Sequence, residues 1–261
     1  MATTESQLDT ADLTDRVKGM YQEVALHPER EFHFETGRPL AERLGYPAAD
    51  LDAIPAAAID SFAGVGYFLD LAAIAPGETI LDLGSGSGTD ALLAARATGA
   101  EGSAIGVDMT AEQLAKATDL AAAAGIGNAE FREGQIERPP VDPGSVDCVI
   151  SNGVINLSPD KPAVFAAAAT ALRPGGRLAI ADIVSAAQLP EGITCDASLW
   201  AACIGGAMQR ERYLEAIEAA GFEIAEVREN DYRFISDRAD NATQKYGVTS
   251  ISLLARRREE R

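Results

Sequence analysis

The chain predicts an α/β fold, a doubly wound and mostly parallel seven-stranded sheet with an antiparallel edge strand and an N-terminal helical segment. Three observations carry this. Apolar strand-like runs alternate with helical runs between residues 79 and 184. The first run breaks into a glycine-rich loop that feeds a helix. Two late apolar runs, near 222–229 and 248–255, fit an antiparallel, hairpin-like edge.

The elements follow in order. Leu13, Val17, Met20, Tyr21 and Val24 recur at helical spacing, and Pro28 ends that helix. Residues 31–60 read as loop, broken by Gly37, Pro39, Gly45, Pro47 and Pro55. A helix over about 60–74 closes at Pro76-Gly77. Strand 79–83 leads to helix 89–98, strand 103–107 to helix 111–124, then come strands 129–132 and 146–151. Helix 160–172 and the turn Arg173-Pro-Gly-Gly176 precede strand 177–184, and helix 210–220 stops at Gly221. This divides the chain into a helical and loop segment, 1–76, and a sheet-based core, 77–261, with an insertion at about 185–209. That insertion holds Cys195, Cys203 and the only tryptophan, Trp200. Loops at this end of such a sheet commonly carry substrate contacts.

The loop Asp82-Leu-Gly-Ser-Gly-Ser-Gly88 discriminates between nucleotides. A dinucleotide fingerprint places a glycine three after Gly86, where Thr89 stands. Asp82, two residues before Gly84, would repel a pyrophosphate and suits a ligand with a free ammonium. S-adenosylmethionine (SAM), with an amino-acid tail and no phosphate, fits. Asp108 ends the next strand 20 residues after Gly88, the spacing at which a carboxylate takes ribose hydroxyls.

Composition narrows the partners. With 261 residues and 47% hydrophobic content, the chain can fill one large α/β core. A net charge of −18 repels nucleic acid and anionic membranes, and no apolar run is long enough to span a bilayer. A small neutral or cationic acceptor is expected, with a monomer or homodimer. The polar start Met1–Asp9 does not resemble a secretory signal, and three cysteines make no disulfide framework, so a cytoplasmic setting is expected.

Several stretches together resemble the SAM-dependent arsenite methyltransferases. They are Ile80–Gly88, Ile105–Thr110, Val149–Lys161, Leu172–Arg177 and Leu199–Ala207, and the likeness runs from about Val17 to Phe222. The resemblance implies a Rossmann-like class I methyltransferase fold, with the N-terminal helix folding over the cofactor as a lid. The family holds trivalent arsenic through cysteines, and here the pattern departs. Ser151-Asn152-Gly153 stands where the family has Ser-Asn-Cys, and a Gly-Cys-Gly is missing in the region of Ala63-Gly64-Val65. Ala91 stands near another frequent cysteine; only Cys203 matches, and Cys195 is extra.

Carried onto this chain, the resemblance places Asp82, Gly84, Ser85 and Gly86 at the methionine moiety. Asp108 falls at the ribose and Met109, Gln135 and Ile136 at the adenine. Ser151 and Asn152 would flank the reacting methyl, and Tyr21 would contribute from the lid. Cys203 and Cys195 are the candidate holders of a soft acceptor. His27 and His33, the only histidines, are candidate general bases for a hydroxyl acceptor. Cys148, mid-strand, reads as a buried inert residue.

Methyl transfer from a sulfonium is an in-line displacement. Orientation alone supplies ~7–11 kcal/mol of such a barrier, so no elaborate catalytic triad is needed. A thiol or metalloid acceptor and an O-, N- or C-acceptor both fit this reading. The rival classes are a nicotinamide-dependent oxidoreductase and a SAM-binding protein that transfers no methyl group.

Overall fold

The computed structural model describes residues 9–195, 200, 204–235 and 237–259, with the backbone alone for 237–240 and 242. Its sheet runs β3-β2-β1-β4-β5-β8-β7. The strands are β1 (Thr79–Leu83), β2 (Ser103–Asp108), β3 (Ala129–Glu133), β4 (Val146–Asn152), β5 (Leu172–Ser185), β6 (Met208–Gln209), β7 (Phe222–Glu229) and β8 (Val248–Arg257). The first five are parallel; β8 runs antiparallel to both β5 and β7. The seven expected strands all form, and two-residue β6 adds an eighth beside the end of β5.

The order reverses between β1 and β4, so the chain leaves these two strands in opposite directions. That opens a crevice beyond their C-terminal ends, the usual ligand site of such sheets. Leu83, Asp108, Glu133 and Asn152 end the four strands around it.

Period-two alternation assigns the two faces. Ile80 packs with Leu92, Ile150 and the N-terminal residues Leu13, Val17, Leu40 and Leu51. Leu81 and Leu83 pack on the other face with Val149, Phe165 and Tyr213. The N-terminal segment therefore shares a core with the sheet.

The N-terminal helix, Thr10–Leu26, starts where Asp9 accepts the amides of Ala11 and Asp12. Helix Ala111–Ala123 holds it down. Gln113 donates to the Tyr21 carbonyl at 2.8 Å, Gln22 to Glu112 at 2.8 Å and Lys116 to the Ala25 carbonyl at 2.9 Å.

Three local expectations are corrected. Residues 31–60 contain short helices, Arg38–Leu44, Ala48–Leu51 and Ala56–Asp60, because Pro39 sits in the first turn of one and Pro47 and Pro55 directly precede the others. The helix expected over 60–74 is two pieces, Ala56–Asp60 and Leu69–Ala72. Glycines 64 and 66 between them run against Asn152 and Asn230, where a side chain would not fit. The β7–β8 link carries a helix, Asp237–Tyr246, whose polar face gave no core signal.

Candidate cofactor and acceptor site

A cavity of about 460 Å³ opens at the β1/β4 crevice. Gly84, Gly86 and Gly88 have φ of 75°, 52° and 91°, conformations that only glycine adopts without strain. They carry the chain tightly from β1 into helix Thr89–Thr98. Asp108 fixes this loop: one carboxylate oxygen accepts the Gly86 amide at 3.0 Å and the other the Thr110 amide at 2.8 Å. Burial raises its pKa against those two hydrogen bonds.

Among the described residues the cavity lining contains Asp82, Asp90, Asp108, Glu137 and Asp160, and no lysine, arginine or histidine. Asp82 Oδ2 and Ser85 Oγ are buried there without a hydrogen-bond partner among the described residues. Burial, then the negative charges of Asp90 and Asp108, push Asp82 well above the usual carboxylate range. Asp90 is pushed up to about 6 by burial, against hydrogen bonds from Tyr46 and Asn152. An ammonium-bearing ligand with hydroxyl donors would answer the orphaned oxygens and the charge. A dinucleotide pyrophosphate would meet carboxylates with no cation to receive it.

Asn152 closes the wall. Its side-chain oxygen accepts the amides of Val65 and Gly66 at 2.8 and 3.3 Å, and its amide donates to Asp90 and Tyr46 at 3.1 and 3.0 Å. Tyr46 donates to Asp90 at 2.6 Å.

The structure gathers Asp82, Gly84, Ser85, Gly86, Asp108, Met109, Gln135, Ile136, Asn152 and Tyr21 around the cavity. Ser151 is not among them: its hydroxyl donates to the Leu83 carbonyl at 2.7 Å and pins β4 to β1. Neither histidine reaches the cavity. His27 ends the N-terminal helix with Nδ1 3.5 Å from Glu29, and His33 stands edge-on to Phe34 at 4.8 Å. Cys195 is half-buried at the end of helix Glu191–Thr194, outside the lining, and Cys203 lies outside the described residues. Cys148 is buried mid-strand, and burial pushes its thiol up to about 12, as suits an inert core residue.

Sequence reasoning missed Asp90, Tyr46, Gln113, Glu137 and Ser158. An aspartate in a helix's first turn is ordinary, so Asp90 carried no distinguishing signal. Tyr46 reaches it only through the fold.

A family model described as a methyltransferase domain matches residues 74–221. The chain belongs to this family. It is 43% identical over 219 residues to an arsenite methyltransferase of Halobacterium salinarum, covering 83% of this chain and 56% of the relative. An arsenic(III) S-adenosylmethionine methyltransferase from Chlamydomonas reinhardtii superposes with a TM-score of 0.63 at 28% identity, covering 86% of this chain and 75% of that one. A geranyl diphosphate C-methyltransferase of Streptomyces coelicolor, solved with S-adenosyl-L-homocysteine, gives a TM-score of 0.66 at 15% identity, covering 94% and 98%, which speaks to the fold. The chain spans about half the length of the curated relatives it matches. Fold and family agree on a methyltransferase domain of the class I fold.

Proposed function

We propose that the chain transfers a methyl group from SAM to a small-molecule acceptor, and that the acceptor is soft in the manner of arsenite or a thiol. Identity of 43% to an arsenite methyltransferase is the observation that carries the acceptor. The orphaned Asp82 and Ser85 oxygens support the donor. When bound, SAM supplies an activated methyl on a sulfonium. The chain orients it: Asp82 and Asp90 face positive charge, Asp108 the ribose, Met109, Gln135 and Ile136 the adenine. Tyr21, on the N-terminal helix, covers the cavity and excludes water. In this reading Cys195 and Cys203 supply thiolates for the acceptor.

The net charge of −18 supports partners that are neither nucleic acid nor anionic membrane. Among the described residues no helix is long and apolar enough to cross a membrane. A monomer or homodimer in a reducing cytoplasm suits thiolate chemistry.

A second reading, an O-, N- or C-acceptor of organic nature, has its own support. The described cavity lining holds no cysteine. Val65 and Gly153, from the two regions where the family resemblance leads one to look for cysteines, are neighbours. A Cβ on Gly153 would stand 3.0 Å from Val65 Cγ1, at a φ of +73°.

One experiment separates the readings. SAM is titrated calorimetrically, arsenite is added, and products are followed by mass. Methylated arsenic supports the soft acceptor, and Cys203→Ser then abolishes it. Turnover that survives Cys203→Ser overturns the thiolate role of Cys203. SAM binding without arsenic methylation moves the acceptor to small organic molecules.

A further inference from the structure

We propose that Lys161 is a positioning residue that ties the wall of the cofactor cavity to Trp200 in the insertion, so that occupancy of the cavity is felt at the indole. The proposal rests on the cavity being the SAM site and not on the identity of the acceptor.

Lys161 opens helix Lys161–Ala171 and is 4% exposed. A cation there works against the helix dipole and against desolvation, so packing propensity does not explain it. Its surroundings do. Nζ donates to the carbonyls of Asn156 and Ser158 at 3.0 and 2.9 Å and lies 4.8 Å over the Trp200 ring. Leu157 and Ser158, and Pro159 and Asp160 directly after them, line the cavity. Ser158 in turn donates its hydroxyl to Glu137, another lining residue.

The insertion meets the same carbonyl from its other side. A Cβ on Gly206 would stand 1.8 Å from the Asn156 oxygen and 2.8 Å from Trp200 Cε3, and one on Gly205 would stand 2.3 Å from Trp200 Cδ1. Both glycines are thus the seat of the indole, whose Nε1 donates to the Thr194 carbonyl at 2.7 Å. Wall, ammonium and indole form one contiguous chain of contacts, although Trp200 itself does not line the cavity.

Trp200 is the sole tryptophan, so its emission reports on this junction alone. The full chain is titrated with S-adenosylhomocysteine while heat and tryptophan emission are recorded. The expected result is an emission change that saturates at the calorimetric midpoint. Lys161→Met loses that change and binds about tenfold more weakly, the size of one hydrogen bond to a charged group. Lys161→Arg, which keeps the cation, recovers the response. Emission that stays fixed while the heat saturates overturns the proposal, as does a Lys161→Met protein that responds like the parent. Absence of heat overturns the cofactor reading and the proposal with it. If Lys161→Met does not fold, the parent and Lys161→Arg decide.

Discussion

Two buried clusters in this molecule are built from the same residue types and have opposite characters. In one, Tyr46 donates to Asp90 at 2.6 Å and Asn152 donates to the same carboxylate at 3.1 Å. In the other, Tyr213 donates to Asp182 at 2.6 Å and Asn156 does so at 2.7 Å. The second is answered on both oxygens: Asp182 Oδ1 also accepts the Ile183 amide, and Oδ2 is the one that takes Tyr213. The first has a second aspartate, Asp82, next to it, with one oxygen unpartnered among the described residues and an open cavity beside it. A buried carboxylate whose two oxygens are both answered is part of the framework. A buried pair with an oxygen left unanswered beside a cavity marks where a ligand belongs.

The comparison breaks most visibly at the closed cluster. Asp182→Ala strands the Tyr213 hydroxyl, the Asn156 amide and the Ile183 amide together. We expect a loss of about 3–5 kcal/mol in urea unfolding, the cost of breaking a buried charged group's partners. A loss below about 1 kcal/mol would mean that the cluster is wetter than its burial suggests.

At the open cluster the same kind of change takes the other sign. Asp82→Asn replaces a carboxyl whose ionisation is opposed by burial and by two neighbouring aspartates, so the ligand-free protein no longer bears the cost of holding its proton and gains stability, about 1 kcal/mol. SAM affinity falls about 10- to 100-fold through the lost ammonium contact, the weight of one or two charge-assisted hydrogen bonds. Thermal melting with and without SAM reads both effects in one experiment. Destabilisation of the ligand-free protein would show that Asp82 serves the fold.

Asp108→Ala comes next in size. It removes the carboxylate that faces the ribose and also frees the Gly86 and Thr110 amides. At least tenfold weaker SAM binding is expected, about 1.4 kcal/mol. Calorimetry with unchanged affinity would remove Asp108 from the cofactor site.

The two clusters also differ in how far the sequence announces them. The parallel strands, the glycine loop and Asp108 are local patterns: alternation, turn chemistry and spacing lie along the chain. Helix Thr89–Thr98 and strand β7 fall where periodicity puts them. Lys161, Asn156, Asp182 and Tyr213 come from four separate elements and meet only after folding. Tyr46 likewise reaches Asp90 across 44 residues. Ser151 shows the opposite failure. It ends the right strand, yet its hydroxyl is used up on a neighbouring strand's carbonyl. Strand position was legible; the direction of a small polar side chain was not. The short helices between 38 and 60 escaped because proline reads as a breaker and as a helix starter alike.

The smallest effect near neutral pH is also the most diagnostic, because its sign is fixed by linkage. Burial raises Asp82, Asp90, Asp108 and Asp182, so the folded chain holds protons that the unfolded chain has released. Their contribution is present at low pH and is lost as pH rises through the folded values, about 6 for Asp90. Glu78 and Asp70, held down beside Arg177 and Arg228, act oppositely: their contribution is lost as pH falls below the ordinary carboxylate range. A cationic ligand favours the ionised form of Asp90 and Asp82 and expels their protons. SAM affinity therefore climbs with pH, by up to about tenfold per unit for each proton released, and levels off once both groups are ionised without ligand. Calorimetry at mildly acidic pH in two buffers of different ionisation enthalpy counts those protons directly. Asp90→Asn flattens the profile if Asp90 is the titrating partner. A flat profile in the parent protein would mean that the ligand's positive charge is neutralised elsewhere, and the contrast between the open and the closed cluster would lose its functional meaning.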